Sequence, residues 1–356
     1  MELIRPDVNI DFIGKRKLAF SFSLLLIIAG IISLVMHGGP RYGVDFSGGT
    51  LLQLKFKVPV TEKDIRNGLK DLGMKGITIQ KLGGGDINEF LIRSELTETK
   101  LQTLSKKVKD AIEKKLGSGN VEVLRVEMVG PKVGKDLRQK ALLAIYYSLL
   151  FIAIYISGRF EMKWGLSISL ALALVAGVYV LTIMGLSMPI LILGALIITL
   201  IFCWYLKLSY ALAAVVALIH DVAITVGAFS ITNKEITLAV VAALLTIVGY
   251  SLNDTIIVFD RIRENLRKSR REKLDVLINK SANQTLSRTL LTSGTTLIVV
   301  LCLFVMGGSV IHDFAFALLV GVVVGTYSSI YVASPILILY EDWVQRKRQK
   351  ARASRR

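Results

Sequence analysis

Asp254 lies in the run Leu244-Leu245-Thr246-Ile247-Val248-Gly249-Tyr250-Ser251-Leu252-Asn253-Asp254-Thr255-Ile256-Ile257-Val258-Phe259, long and apolar enough to sit in a bilayer. A carboxylate at that depth costs roughly 2.5–3.5 kcal/mol on insertion scales, so it needs a partner or a task. Arg288 opens the next apolar run and is the candidate partner. An acid facing a base across two helices suits proton-coupled work in a membrane. The residues leave two readings of Asp254 open: that relay, or a clamp between helices satisfied by Asn253 or by a Ser or Thr on a neighbour. Arg288 has its own alternative, an anchor whose head snorkels to water at the end of its span. A second polar pair, His220-Asp221, falls inside another apolar run. Histidine titrates near neutrality, yet adjacent residues on a helix point in different directions. The pair therefore reads either as a packed polar network or as a secondary part of a relay. Asp260 reads as the end of its span, paired at the surface with Arg261 or Arg263.

Little else has the spacing that chemistry needs. Cys203 and Cys302 both fall inside apolar runs and read as small hydrophobes. His37, His220 and His312 are far apart and show no ligand spacing. No nucleophile–base pair, metal cluster or nucleotide loop stands out, so neither an enzyme nor a bound cofactor is expected.

Such residues need a membrane-embedded scaffold. The chain has 356 residues, 53% of them hydrophobic, and a mean hydropathy of +0.58, which indicates a polytopic membrane protein. A spanning helix needs ~20 apolar residues. Runs of that kind are Leu18–Met36, Ala141–Ser157, Gly165–Met184, Pro189–Tyr205, Tyr210–Ile231, Ile236–Phe259, Thr289–Met306 and Phe314–Tyr340, so about eight spans are expected. Residues 1–17 form a basic N-terminus. The first span, 18–36, is longer than a signal-peptide core and shows no small-x-small cleavage site, so it is expected to stay as an anchor. The net charge of +17 follows the positive-inside rule. Lys15-Arg16-Lys17, Arg159, Lys163, Lys207, the basic stretch Arg261–Lys273 and the tail 341–356 all fall on one side if the N-terminus is cytoplasmic. The basic segments then orient the chain and touch anionic lipid headgroups. They lack interleaved aromatics, so nucleic acid is not an expected partner.

Residues 38–139 differ: mixed charge, no membrane-length run. Thr50–Phe56 alternates as a strand. Thr61-Glu62-Lys63-Asp64 can cap a helix running to Leu72 and stopped by Gly73. Ile77–Leu82 and Glu89–Ser94 read as strands joined by Gly83-Gly84-Gly85-Asp86, a tight turn and not a phosphate loop, since no helix follows it. Thr97–Leu116 is a charged amphipathic helix ended by Gly117, and Val121–Val129 is a last strand. The order β-α-β-β-α-β predicts a ferredoxin-like α+β domain.

Several stretches are similar to the SecD/SecF family of protein-export subunits. They are Gly43-Val44-Asp45-Phe46-Ser47-Gly48-Gly49-Thr50, Ala217-Leu218-Ile219-His220-Asp221, Val248 through Asn265, Ser287-Arg288-Thr289-Leu290-Leu291-Thr292-Ser293-Gly294-Thr295-Thr296, and Ser328 through Ser334. They occur in family order and resemble its SecF type. The resemblance implies an RND-like half-transporter with a periplasmic ferredoxin-like domain, in the bacterial inner membrane with both termini cytoplasmic. It implies a heterodimer with SecD, contact with the SecYEG channel and YajC, and use of the proton-motive force to move preprotein. It places Asp254 and Arg288 in proton conduction, the site being completed by a carboxylate on SecD. Asn253, His220, Asp221 and Asp260 become a secondary relay or polar network, and Asp45, Gly48 and Gly49 a turn or hinge at the membrane edge of the periplasmic domain. One departure is large. In the family, Arg-Phe-Glu is followed within about twenty residues by the helix leading to His-Asp. Here Arg159-Phe160-Glu161 and His220-Asp221 enclose two extra apolar runs, a lipid-facing hairpin expected near 165–207 within the bundle 140–340. The competing functional reading is an RND-type exporter of small molecules or lipids; one compact periplasmic domain and half the expected helices count against it.

Overall fold

The computed structural model describes residues 8–72, 77–82, 88–94, 101–117, 119–183, 187–269 and 272–353. Elements follow one another as α1 (Arg16–Met36), α2 (Val44–Ser47), β1 (Gly49–Phe56), α3 (Glu62–Leu69) with a 3-10 turn over Lys70–Leu72, β2 (Thr78–Leu82), β3 (Glu89–Ser94), α4 (Leu101–Leu116) and β4 (Val121–Val129). Then come α5 (Pro131–Glu161), α6 (Trp164–Ile183), α7 (Met188–Tyr205), α8 (Ser209–Ile231), α9 (Leu238–Lys268), α10 (Leu274–Met306), α11 (Gly308–Ser328), a π-helical turn over Ser329–Ala333, and α12 (Ser334–Ala353). The chain divides into two units. One is Met1–Pro40, Leu142–Lys234 and Ala239–Arg356; the other is Arg41–Ala141 with Glu235–Leu238.

The smaller unit carries a four-stranded sheet in the order β2-β3-β1-β4, all neighbours antiparallel. That is the ferredoxin-like order expected from the sequence. β1 lies in the interior of the sheet, and Leu52, Leu54 and Phe56 pack with Ile65 and Leu69 of α3, Val108 and Ile112 of α4, and Phe90 and Ile92 of β3. The turn at 83–86, Gly73 and residues 97–100 lie outside the described residues.

Helix α3 starts with a capping box: the Asp64 N–H donates to Thr61 Oγ1 (3.3 Å), and the Asp64 carboxylate accepts from the Thr61 N–H (3.0 Å) and hydroxyl (2.6 Å). The hydrogen bonds from Thr61 hold the Asp64 carboxyl below its ordinary value. Because the folded value is depressed, this contribution is present above the ordinary value of about 3.9 and lost as pH falls through the folded one. Thr61→Ala is therefore expected to fray α3, read as faster amide exchange at Asp64 and Ile65. In the wild type the excess protection should disappear on acidification; protection equal to the variant's at neutral pH would remove the box from the account.

The larger unit is a helical bundle built around α8, which is buried nearly all round. Small residues let helices approach. A Cβ added to Gly30 of α1 would stand 2.8 Å from Gly227 Cα of α8, so those two glycines set the crossing. Gly321 and Gly325 of α11 leave room in the same way for Ile247 and Ser251 of α9. Among the described residues, seven helices are long and apolar enough to cross a membrane. The eighth expected span, α7, has 18 residues and is about 27 Å long, just short of a ~30 Å hydrocarbon core. α6 and α7 pack on Tyr146 and Leu150 of α5, and their outer face carries exposed Leu172, Tyr179, Ile190 and Leu193. Lys163 ties the hairpin's end by donating to the carbonyl of Leu206 (2.8 Å).

Helices α5, α9 and α10 run well past the apolar segments expected from hydropathy, because their extensions are rich in charged and polar residues that a hydropathy scan leaves out. The last expected span, Phe314–Tyr340, lies within one continuous helical stretch, Ile311–Ala351, that passes through the π turn. Pro335 has no N–H to donate to the preceding turn, and the Ser334 hydroxyl bonds the Ser329 carbonyl instead (2.9 Å).

Candidate functional site

The inward face of α9 repeats with helical period: Val240, Leu244, Ile247, Ser251, Asp254, Val258, Ile262 and Asn265 are all buried. Asp254 stands on this stripe and is 1% exposed. Asn253, one residue off it, is exposed and takes no part in holding Asp254. The partner is a hydroxyl from the next helix: Ser293 Oγ of α10 donates to Asp254 Oδ2 at 3.1 Å. Thr326 of α11 lies 2.8 Å from Ser293 Oγ, which extends the contact across three helices. Arg288 sits off the buried stripe of α10, on the exposed surface of the chain. Among the described residues no ion pair joins it to Asp254.

A second and denser polar centre surrounds Asp221, which is fully buried. Its Oδ2 accepts from Ser251 Oγ of α9 (2.5 Å) and Ser328 Oγ of α11 (2.8 Å), and its Oδ1 lies 2.9 Å from His220 Nδ1. The sequence expectation that adjacent His220 and Asp221 point apart is corrected here: the two side chains meet. The other ring nitrogen, Nε2, is 2.9 Å from Ser23 Oγ of α1, and Ser23 lies 3.2 Å from the Tyr327 hydroxyl. Tyr327 in turn donates to the Ala19 carbonyl (2.8 Å). Four helices thus meet at one carboxylate and its neighbouring imidazole. Ser328 is the last residue before the π turn, a distortion that occurs often at functional positions.

Ser251 and Asp254 are one turn apart on α9, and Thr326 and Ser328 are two residues apart on α11. The two centres therefore share the same pair of helices. Ser23, Ser251, Ser293, Thr326, Tyr327 and Ser328 escape a reading that looks only for charges. The signal was present: hydroxyls on the buried stripe of an apolar helix need a hydrogen-bond partner.

Asp260 pairs with neither Arg261 nor Arg263. It bonds Arg159 of α5 (2.6 Å), while Arg261 pairs with Glu264 and Arg263 donates to the Arg159 carbonyl. Adjacent side chains on a helix face about 100° apart, which puts Arg261 out of reach. The rest of Arg159-Phe160-Glu161 is structural. Phe160 stacks on Tyr210 (5.1 Å), and Glu161 Oε1 accepts the Tyr210 N–H (3.0 Å) at the start of α8.

In the smaller unit, Asp45 Oδ2 accepts the Leu238 N–H (2.8 Å). Gly48 adopts φ +75°, and a Cβ there would meet Pro131 Cα at 2.9 Å; Gly49 also has positive φ. Both glycines follow from backbone geometry. Among the described residues no group of three His, Cys, Asp or Glu is placed to hold a metal ion. Cys203 is buried and Cys302 exposed, both unpaired.

Comparison with known proteins follows the same lines. Residues 107–201 and 186–343 match the family described as protein export membrane protein SecD/SecF, C-terminal, and residues 34–60 match the SecD/SecF GG motif. The chain is 39% identical over 345 residues to the protein translocase subunit SecF of Calditerrivibrio nitroreducens, covering 96% of this chain and 97% of that one. It is 41% identical over 350 residues to the SecF of Magnetococcus marinus, covering 98% and 97%. Its backbone is similar to the crystal structure of SecDF, a translocon-associated membrane protein from Thermus thermophilus, with a TM-score of 0.69 and 32% identity over 96% of this chain. A structure of SecDF in a super-membrane-facing form gives 0.61 and 33%. The chain spans 40% and 41% of those two SecDF chains.

Proposed function

The chain belongs to the SecF family of protein translocase subunits, and from that premise we propose that it couples the proton-motive force to preprotein export through a site holding Asp254 and Arg288. The observation that carries this reading is the asymmetry of the two residues. The acid is enclosed by α9, α10 and α11 with one hydroxyl donor, whereas the base sits on the outer surface of α10 with no carboxylate in contact among the described residues. A charged base facing hydrocarbon is costly, so a partner chain is the natural neighbour of that face. SecD is that partner, supplying the second carboxylate. Proton passage then biases two arrangements of the machine, and the sheet unit, in the periplasm, works on emerging polypeptide. The His220–Asp221 centre holds the bundle in register around the site. SecYEG and YajC are further contacts, the membrane is the bacterial inner membrane, and the basic N-terminus and tail face the cytoplasm.

The test uses proteoliposomes holding SecYEG and SecD with or without this chain. An imposed proton gradient should speed preprotein uptake several-fold only when the chain is present. Equal rates with and without the gradient, in vesicles shown to contain the complex, overturn the proposal.

A further inference from the structure

Glu235–Leu238 belongs to the sheet unit although it leads into α9, a helix of the bundle. The segment is fastened there at several points. Tyr42 and Ile236 form a parallel bridge: the Ile236 N–H donates to the Arg41 carbonyl (2.7 Å) and the Gly43 N–H to the Ile236 carbonyl (2.9 Å). Glu235 binds Arg93 of β3 and lies 3.8 Å from Arg41. Arg93 also donates to the Tyr42 carbonyl (3.3 Å), and the Arg138 guanidinium lies 4.2 Å over the Tyr42 ring. A side chain at Gly43 would strike Thr237, its added Cβ standing 2.8 Å from Thr237 Cγ2. Asp45 completes the set by accepting the N–H of Leu238, the first residue of α9. The first turn of α9 holds no acidic residue of its own, and an unpaired N–H at a helix start favours an anion. A residue 193 positions earlier in the chain supplies it.

We propose that Asp45 is a positioning residue of the coupling reaction: with the Tyr42–Ile236 bridge it fixes the first turn of α9 to the sheet unit. Displacement of α9 at Asp254, about 24 Å along the helix from Leu238, is then delivered to the sheet unit and not absorbed by the 232–237 loop. α9 runs as one unbroken helix from Leu238 past Asp254, so it can carry such a displacement. The proposal rests on the proton-site reading of Asp254.

The experiment compares Asp45→Ala with Asp254→Asn in proteoliposomes of the full complex, following proton uptake with a pH-sensitive dye alongside preprotein uptake. Asp45→Ala should keep wild-type proton uptake and lose gradient-driven translocation several-fold. Asp254→Asn should lose both. Amide exchange at Leu238 should rise in Asp45→Ala, a readout of the joint that does not depend on Asp254. On a background lacking Cys203 and Cys302, the pair Tyr42→Cys and Ile236→Cys should restore translocation to Asp45→Ala when oxidised and release it when reduced. Loss of proton uptake together with translocation in Asp45→Ala, unchanged translocation, or failure of the cross-link to restore it would each overturn the joint. Normal proton uptake by Asp254→Asn would overturn the relay reading instead, with the Leu238 exchange left to judge the joint.

Discussion

Asp254→Asn is expected to leave the chain folded and assembled while reducing gradient-driven translocation to the gradient-free rate, a loss of about tenfold or more, equivalent to at least ~1.4 kcal/mol in the driven step. The substitution keeps the volume of the side chain, and its amide oxygen still accepts from Ser293 Oγ. What it removes is the ability to take and give up a proton. The packing that holds α9 against α11, Ile247 on Gly321 and Ser251 on Gly325, does not involve Asp254. Detergent-solubilised complex should therefore elute intact with SecD, and translocation under an imposed gradient should fail. A clamp behaves differently: transport would fall only in proportion to loss of complex. Wild-type transport by intact Asp254→Asn complex would sink the relay.

Asp221→Ala should do the opposite and strike stability first. The carboxylate is the shared acceptor for Ser251 and Ser328 and the neighbour of His220. Removing it takes the acceptor from Ser251 and leaves Ser328 with only the Gly325 carbonyl and His220 with only Ser23, in a buried site that also holds α1 through Ser23. Buried polar groups left unpaired cost roughly 1–3 kcal/mol each, with interhelical bonds in membranes at the low end, so a loss of about 2–4 kcal/mol is expected. The measurement is thermal unfolding in detergent with Asp221→Asn as the milder control, since it keeps one acceptor oxygen. A midpoint unchanged in Asp221→Ala would mean the centre is not a lock. The two carboxylates, one turn of α9 apart in their contacts, would then need a common account as one relay.

Much of this protein could be read in one dimension. Hydrophobic run length sets spans because a backbone in hydrocarbon must satisfy its own hydrogen bonds. Period-two and period-3.6 patterns set the strands and helices of the sheet unit, whose β3 and β4 begin and end where the alternation does. Asp254 could be placed on a buried face, and Asn253 off it, by counting along α9. Pairing is another matter, since it depends on which helices become neighbours. Asp260 finds Arg159, 101 residues away, and Asp45 finds Leu238, 193 residues away. Local spacing carries no information about either. The His220–Asp221 contact turns on side-chain rotamers, and the π turn on how Pro335 meets Ser334. The sequence by itself determined a multi-pass helical chain with a ferredoxin-like insertion and an acid in the wrong solvent. Only the tertiary structure decided that this acid is met by a hydroxyl and not by Arg288, because a helix presents its faces at fixed angles and the base falls on the outer one.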